Sequence, residues 1–488
     1  MPADQGGGGS GVVGGAPAIA ERTRAARRLI LPLAMAQFIC SFAGSNMNVM
    51  ITDISHDLNT DVKGVQTAIT LFLLIMAILM IPCSKLTDRW GRKRCFIGGL
   101  TLYGIGALVS AVSPNLGVLI LGNSVCEGVG TALLIPPVYI LATVWFDDLT
   151  ARAWAFGAIS GLGGVGAAAG PLIGGVITTT TSWRVAFLFQ AAVVASIILL
   201  SRKLVDPIPA DPTRPFDAVG AGLSAVGMFF LVLGILQAGT RNTLFVLFLA
   251  IGLAFLLGFY LYIRRLERQG KEPLLSTALF RNRTCNLALV TQNIQWLLLM
   301  GVSFVVSVFL QEVRGYSAIG TGVVFTSATV GVLVSSFAAE RLARRWSQRT
   351  LLIAGFVGTL AGIVLLLLLV HSSSRVVAFA PGLLLIGLGL GVMLTPAVNV
   401  VQSSFPEEMQ GEISGLSRSV SNLGSSFGTA IAGTILVSVV ELGTRSYAVA
   451  MIVLAGFGLL GLLAAIRLPA DTGRVAATAA SRPVDQTG

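Results

Sequence analysis

Fourteen stretches of mostly apolar residues, separated by short polar segments, run through the chain near 29–52, 64–83, 95–113, 116–145, 153–179, 183–201, 218–238, 243–263, 285–310, 319–338, 350–370, 376–402, 413–439 and 446–466. A helix of about 20 such residues crosses the hydrocarbon core of a bilayer, so the pattern predicts an all-α membrane protein with 14 transmembrane helices. Spans 1 to 14 below are these segments. The first 28 residues hold the Gly/Ser stretch Gly6–Gly15 and the basic run Arg22–Arg28 and are expected to be a flexible tail. No short apolar region with a cleavage site precedes span 1, so no removable signal peptide is expected.

Charge gives the chain a direction. With the N-terminus cytoplasmic, inner segments hold 27 Lys and Arg, and outer segments hold six: Lys63, Arg184, Arg241, Arg314, Arg375 and Arg445. That bias predicts an even number of spans, with both termini inside. Ala218–Ala238 and Thr243–Ile263 are each long enough to cross, which favours fourteen over twelve. Composition agrees: 54% of residues are hydrophobic and 11% charged, too few charges for a soluble surface. The net charge of +11 is accounted for by the inner loops, and no nucleic acid is expected. Five scattered cysteines and two histidines suggest neither a disulfide framework nor a metal centre. No HExxH, paired-Cys or Walker-type pattern occurs, so no enzyme, cofactor or self-contained ATP-driven pump is expected.

The loop after span 2 reads Ser84-Lys-Leu-Thr-Asp88-Arg89-Trp-Gly91-Arg92-Lys93-Arg94. Taken alone it is a basic loop on the inner side, but its spacing says more. A lone Asp and a turn-permitting Gly precede a cationic cluster between two helices. Asp88 is expected at a helix N-terminus, with Arg92 reaching a carboxylate across the bundle. Span 5 carries Gly157-x8-Gly166-x3-Gly170-Pro171-x2-Gly174-Gly175. This is a small-residue face that lets helices approach closely, with a proline that bends its helix and frees a carbonyl. The first motif resembles the signature between helices 2 and 3 of the major facilitator superfamily, with Ser84 where that family has a leading Gly. The second resembles the antiporter motif of its drug:proton antiporter branches.

Further matches to the fourteen-span branch are Trp183-Arg184, Phe216-Asp217-x-x-Gly220, Pro273 with Leu279–Arg283, and Gly411, Gly415, Arg418 and Gly424. A degenerate echo of the first loop lies at Leu342–Arg349. The resemblance implies two pseudo-symmetric six-helix halves plus an inserted two-helix hairpin. The expected divisions are a tail at 1–28, an N-terminal half at 29–203, a linker with spans 7 and 8 at 204–278, a C-terminal half at 279–467 and a tail at 468–488. The first loop is expected to gate alternation through Asp88, Arg89, Gly91 and Arg92, together with Asp147 or Asp148 at the end of span 4. Span 5 is expected to pack at the interface between the halves, against span 8 or its neighbours.

Two positions depart from the family. Its span 1 acid aligns with Ala43, and its span 4 Arg with Ser124. Glu127 remains as an acid in mid-span. It is either a hydrogen-bonded packing residue or a proton site, because a low dielectric favours the neutral carboxyl. Asp53, near the outer end of span 1, is the next candidate. Gln37, Ser41, Ser45 and Asn48 in span 1, Gln292, Asn293, Gln295 and Trp296 in span 9, and Asn399 in span 12 fall on candidate cavity faces, where each is either interhelical glue or a ligand.

The resemblance implies a monomeric plasma-membrane transporter that exports drugs, antibiotics or other amphipathic small molecules in exchange for protons. The alternatives are a lipid or metabolite carrier without proton coupling, and a non-transporting receptor on the same fold.

Overall fold

The computed structural model describes residues 16–145, 149–202, 204, 206, 209–213, 215–237, 242–343, 345–372, 376–405, 409–438 and 445–469. All regular structure among them is helical. Among the described residues, thirteen helices are long and apolar enough to cross a membrane. Span 13, Gln410–Ser438, runs 29 residues but carries Glu412, Arg418 and many serines, so a count of fourteen has to include this more polar helix.

The helix that carries span 1 is Ala16–Asn46, so helical structure already covers residues 16–29 ahead of the membrane-crossing stretch, which begins at Ile30. The alanines and arginines there are strong helix formers, which outweigh their polarity. At its far end the helix tightens into a 3-10 stretch, Met47–Met50, and resumes as Ile51–Asp57. Span 4 is also irregular: Ile120–Glu127 is a π segment followed by Gly128–Trp145.

The first six spans and the last six pair alike. Span 1 packs on span 5 as span 9 packs on span 13. Spans 3 and 4 pair as do 11 and 12, and spans 3 and 6 as do 11 and 14. The two sets meet along two seams, span 2 with span 13 and span 5 with span 10. One exchange of equivalent helices converts the first seam into the second. Spans 7, Ala218–Gln237, and 8, Asn242–Arg268, run antiparallel against each other, with Gly227 at Leu256 and Gly252 at Leu231. Span 7 leans on spans 2 and 13, where the Thr434 hydroxyl donates to the Ile235 carbonyl at 3.2 Å.

Along span 13 the contacts of the seam recur every seven residues, and their partners on span 2 stand eight, seven and four apart. Glu412 faces Lys85, the Ser419 hydroxyl donates to the Ala77 carbonyl (2.6 Å), and Ser426 donates to the Thr70 carbonyl (3.2 Å). Gly433 then faces Gln66, whose amide donates to the Thr429 and Ala430 carbonyls at 3.3 Å. Seven residues are close to two turns of helix, so these span 13 side chains share one face.

Candidate functional site

The face bearing the loop after span 2 is here the basic face, and the opposite one the far face. On the basic face, helix Val62–Trp90 gives way to helix Arg92–Ala111 at Gly91, whose φ of +92° suits only glycine without strain. Arg92 donates to Asp88 Oδ1 at 2.7 Å, and its guanidinium lies 3.9 Å from Asp206. Asp206 Oδ2 also accepts from the backbone N–H groups of Arg92 (2.7 Å) and Lys93 (3.4 Å). The acid at a helix N-terminus is therefore Asp206, whereas Asp88 sits in the last turn of span 2. An anion at the first N–H groups of a helix is held by the helix dipole as well as by Arg92. Asp147 and Asp148 lie outside the described residues. Sequence spacing missed Asp206 because it comes from a loop more than a hundred positions away.

A second ion pair crosses between the two helix sets on this face: Lys85 Nζ to Glu412 Oε1, 2.7 Å, with each side chain about three-quarters buried. Glu412 also accepts from the Ser276 backbone at 3.1 Å. On the far face, Gln311 joins span 9 to the broken end of span 1. Its Nε2 donates to the Asn48 carbonyl (2.9 Å), and its Oε1 accepts from the Thr52 backbone (3.2 Å). Thr52 Oγ1 donates to Glu312 at 2.9 Å. The two sets are thus tied at both faces. Asp53 lies exposed beside the far tie.

Span 5 packs two ways. Gly166, Gly170 and Gly174 face span 1, where a Cβ would run into the Phe38 carbonyl, the Ser45 side chain and Asn46 respectively. Gly175 and the Pro171 carbonyl face span 10, against Ala318 and Gly322. The observed partners are spans 1 and 10, not span 8. Gly157 lies on the same helix, Leu149–Thr180.

Between the faces, the sequence-predicted span 1 residues form part of a three-helix contact. Gln37 Nε2 donates to Ser41 Oγ (3.2 Å), and Gln37 Oε1 accepts from the Tyr139 hydroxyl of span 4 (3.3 Å). Arg418 of span 13 donates to that same hydroxyl and lies over the Tyr139 ring. Among the described residues Arg418 has no carboxylate within salt-bridge distance. Its position six residues beyond Glu412 puts it roughly 9 Å deeper along the helix. Ser45 bonds back to its own helix, at the Ser41 and Phe42 carbonyls, and both side-chain atoms of the wholly buried Asn46 meet no protein partner.

The polar residues of span 9 are engaged within their own set. Gln292 Nε2 donates to Ser421 and its Oε1 accepts from Ser417, both at 2.9 Å. Asn293 donates to the Val420 carbonyl (2.9 Å) and Gln295 to the Leu390 carbonyl (3.0 Å). Trp296 is half-buried and Asn399 exposed. These three amides hold spans 12 and 13 in place, as interhelical hydrogen bonds do in bundles.

Glu127 ends the π segment of span 4 and is wholly buried. Gly106 and Gly122 bring spans 3 and 4 into backbone contact beside it. Ser110 Oγ donates to its Oε1 at 3.4 Å, and the Tyr103 hydroxyl, itself bonded to Gln190, lies close by. Among the described residues no cation pairs with it. Short π segments recur at functional positions, and here one re-aims the carboxyl towards span 3. Ser124, at the position of the family's Arg, instead donates to the Ala68 carbonyl at 2.8 Å and fastens span 4 to span 2. Ala43 is buried in the core.

A profile of the Major Facilitator Superfamily matches residues 33–429 and 288–484. The multidrug resistance protein Stp of Mycobacterium tuberculosis (strain CDC 1551 / Oshkosh) is 26% identical over 390 residues, 80% of this chain and 72% of that protein. The puromycin resistance protein pur8 of Streptomyces alboniger is 28% identical, covering 82% of this chain and 80% of that protein. The quinolone resistance protein NorB of Staphylococcus aureus (strain JH9) is 27% identical, covering 86% and 91%. Among solved structures, the peptide transporter POT in complex with sulfate superposes with a TM-score of 0.66 at 16% identity, covering 90% of this chain and 94% of that one. At that identity the likeness speaks to the fold.

Proposed function

The chain belongs to the Major Facilitator Superfamily, and from that premise we infer that this multi-pass membrane protein exports amphipathic small molecules, drugs or antibiotics among them, by proton-coupled alternating access. The observation that carries the reading is the pair of ties between the helix sets, Asn48–Gln311 at one face and Lys85–Glu412 at the other. Breaking one while keeping the other exposes the interior to one side at a time. The resistance proteins named above support the substrate class. In this reading residues 29–203 and 279–467 are the moving halves, residues 204–278 carry the inserted hairpin, and the basic face is cytoplasmic, with both termini on that side of the plasma membrane. Gln37, Tyr139 and Arg418 offer a polar, aromatic and cationic surface to a substrate between the halves.

Glu127 is the proton carrier in this reading, with Asp53 as the next candidate. Loss of the span 1 acid at Ala43 and the span 4 cation at Ser124 favours one alternative, a lipid or metabolite carrier that moves without protons. Proteoliposomes holding the full chain and an internal pH dye separate the two. Coupled export predicts that an added substrate collapses an imposed pH gradient, and that Glu127→Gln binds substrate but loses gradient-driven transport. Substrate flux with no proton flux assigns the carrier reading. Full proton-driven efflux by Glu127→Gln moves coupling to Asp53.

A further inference from the structure

A groove of about 480 Å³ opens on the basic face beside the span 2–3 loop, away from the contact between the helix sets. Arg89, Trp90, Arg94, Gly98, Leu133 and Pro212 line it. Its charge is one-sided. The neighbouring acids Asp88 and Asp206 are both engaged by Arg92, and Asp211 turns Oδ1 to the backbone and hydroxyl of Thr213. Arg89 and Arg94 have no carboxylate partner among the described residues. Two guanidiniums therefore face the groove with their donors unspent, in a geometry suited to phosphate oxygens.

The groove also continues into an apolar track. On span 3 the exposed positions Arg94, Gly98, Thr101, Ile105, Leu108 and Val112 follow one another at three- and four-residue steps, forming one outward stripe. The opposite side of that helix is packed on spans 4 and 6. A Cβ built on Gly98 meets nothing within 4 Å, so this glycine leaves a gap where the cationic end of the stripe meets its apolar length. Trp90, 51% exposed, lines the same groove, and an exposed indole suits a membrane–water boundary. A cationic pocket heading an apolar, outward-facing helix stripe matches one occupant from head to tail: a phospholipid with a net negative headgroup.

We propose that Arg89 and Arg94 hold the phosphate of an acidic phospholipid in the leaflet at the basic face, with an acyl chain laid along Gly98, Ile105 and Leu108. The site lies against the Asp88–Arg92–Asp206 network, so its occupant bears on the same loop. The proposal does not depend on what the protein transports.

The test measures binding of fluorescent phosphatidylglycerol to the full chain in neutral detergent micelles. Phosphatidylcholine is the neutral comparison and glycerol 3-phosphate the soluble one. Arg89→Gln/Arg94→Gln is expected to weaken phosphatidylglycerol binding roughly thirtyfold. Arg89→Lys/Arg94→Lys should keep most of the affinity. Arg264→Gln/Lys271→Gln, which removes equal charge elsewhere, should keep all of it. Gly98→Leu, a change on an open helix face, fills the groove without altering charge and should also weaken binding. Equal affinity for phosphatidylcholine, equal loss in the Arg264/Lys271 variant, or unchanged binding by Gly98→Leu overturns the proposal. Glycerol 3-phosphate competing at the same concentration as the lipid also overturns it, by making the groove a site for a free anion.

Discussion

The guanidinium carbon of Arg418 lies 4.6 Å from the centroid of the Tyr139 ring, so a cation of one helix set rests on an aromatic face of the other. The same arginine donates to the Tyr139 hydroxyl, which passes its own proton towards Gln37. One side chain thereby couples spans 1, 4 and 13. Cation–π contacts in partly desolvated places contribute about 0.5–2 kcal/mol. Arg418→Met and Tyr139→Leu should each lower the melting temperature of the detergent-solubilised protein. Their double variant should fall short of the sum by about 0.5–2 kcal/mol. Strict additivity would show that the two residues touch without energetic consequence.

Gly170 faces the Ser45 side chain and the Phe42 carbonyl of span 1. Gly170→Leu is expected to cost about 1–3 kcal/mol by overpacking. Gly161→Leu, on the same helix at a position where a Cβ meets nothing within 4 Å, should be close to neutral. Equal melting of the two variants would refute the close-packing account.

Asp206→Asn keeps an acceptor oxygen for the span 3 N-terminus but removes its charge from Arg92. A loss of about 1.5–3 kcal/mol is expected, the range for hydrogen bonds to charged groups. Asp88→Asn should leave folded protein in the membrane and slow transport. Wild-type transport and melting in both variants would remove the network from the mechanism.

Lys85 and Glu412 admit a charge-reversal test. Lys85→Glu places two acids together on the basic face and should favour the state open there, read as faster labelling of a cysteine introduced at Ser84. Adding Glu412→Lys should restore wild-type labelling. A double variant that labels like Lys85→Glu alone would show that this ion pair does not hold the face closed.

Much of this was legible in the chain. Span positions followed from apolar run length, and the span 5 glycines announced a close packing face. Partners were harder to read, because pairing across a bundle leaves no trace in local spacing. Asp206 reaches Arg92 from another loop, Glu412 reaches Lys85 from the opposite helix set, and Tyr139 is an ordinary aromatic until Arg418 lies over it. The amides of span 9 illustrate the converse. Gln292, Asn293 and Gln295 stand on polar-looking positions, yet each is used by a neighbouring helix. Ala16–Arg28 shows a third cause, since low hydropathy marks where apolar sequence begins and not where a helix does.

The ladder along spans 2 and 13 has a mechanical meaning. Its rungs, from Lys85–Glu412 through Ala77–Ser419 and Thr70–Ser426 to Gln66–Gly433, follow both helices from the basic face towards the far one. With Lys85–Glu412 broken at the basic face, the three inner rungs still hold the two helices together. Relative motion of the two sets is then a torsion about that line, with the helix pair as axle and the rest of each set as lever arm. Displacement grows with distance from the axle, so a few degrees of twist at Ser419 become ångströms at the outlying helices. A bulky side chain on the axle would act as a brake on the turnover rate while leaving both end states intact.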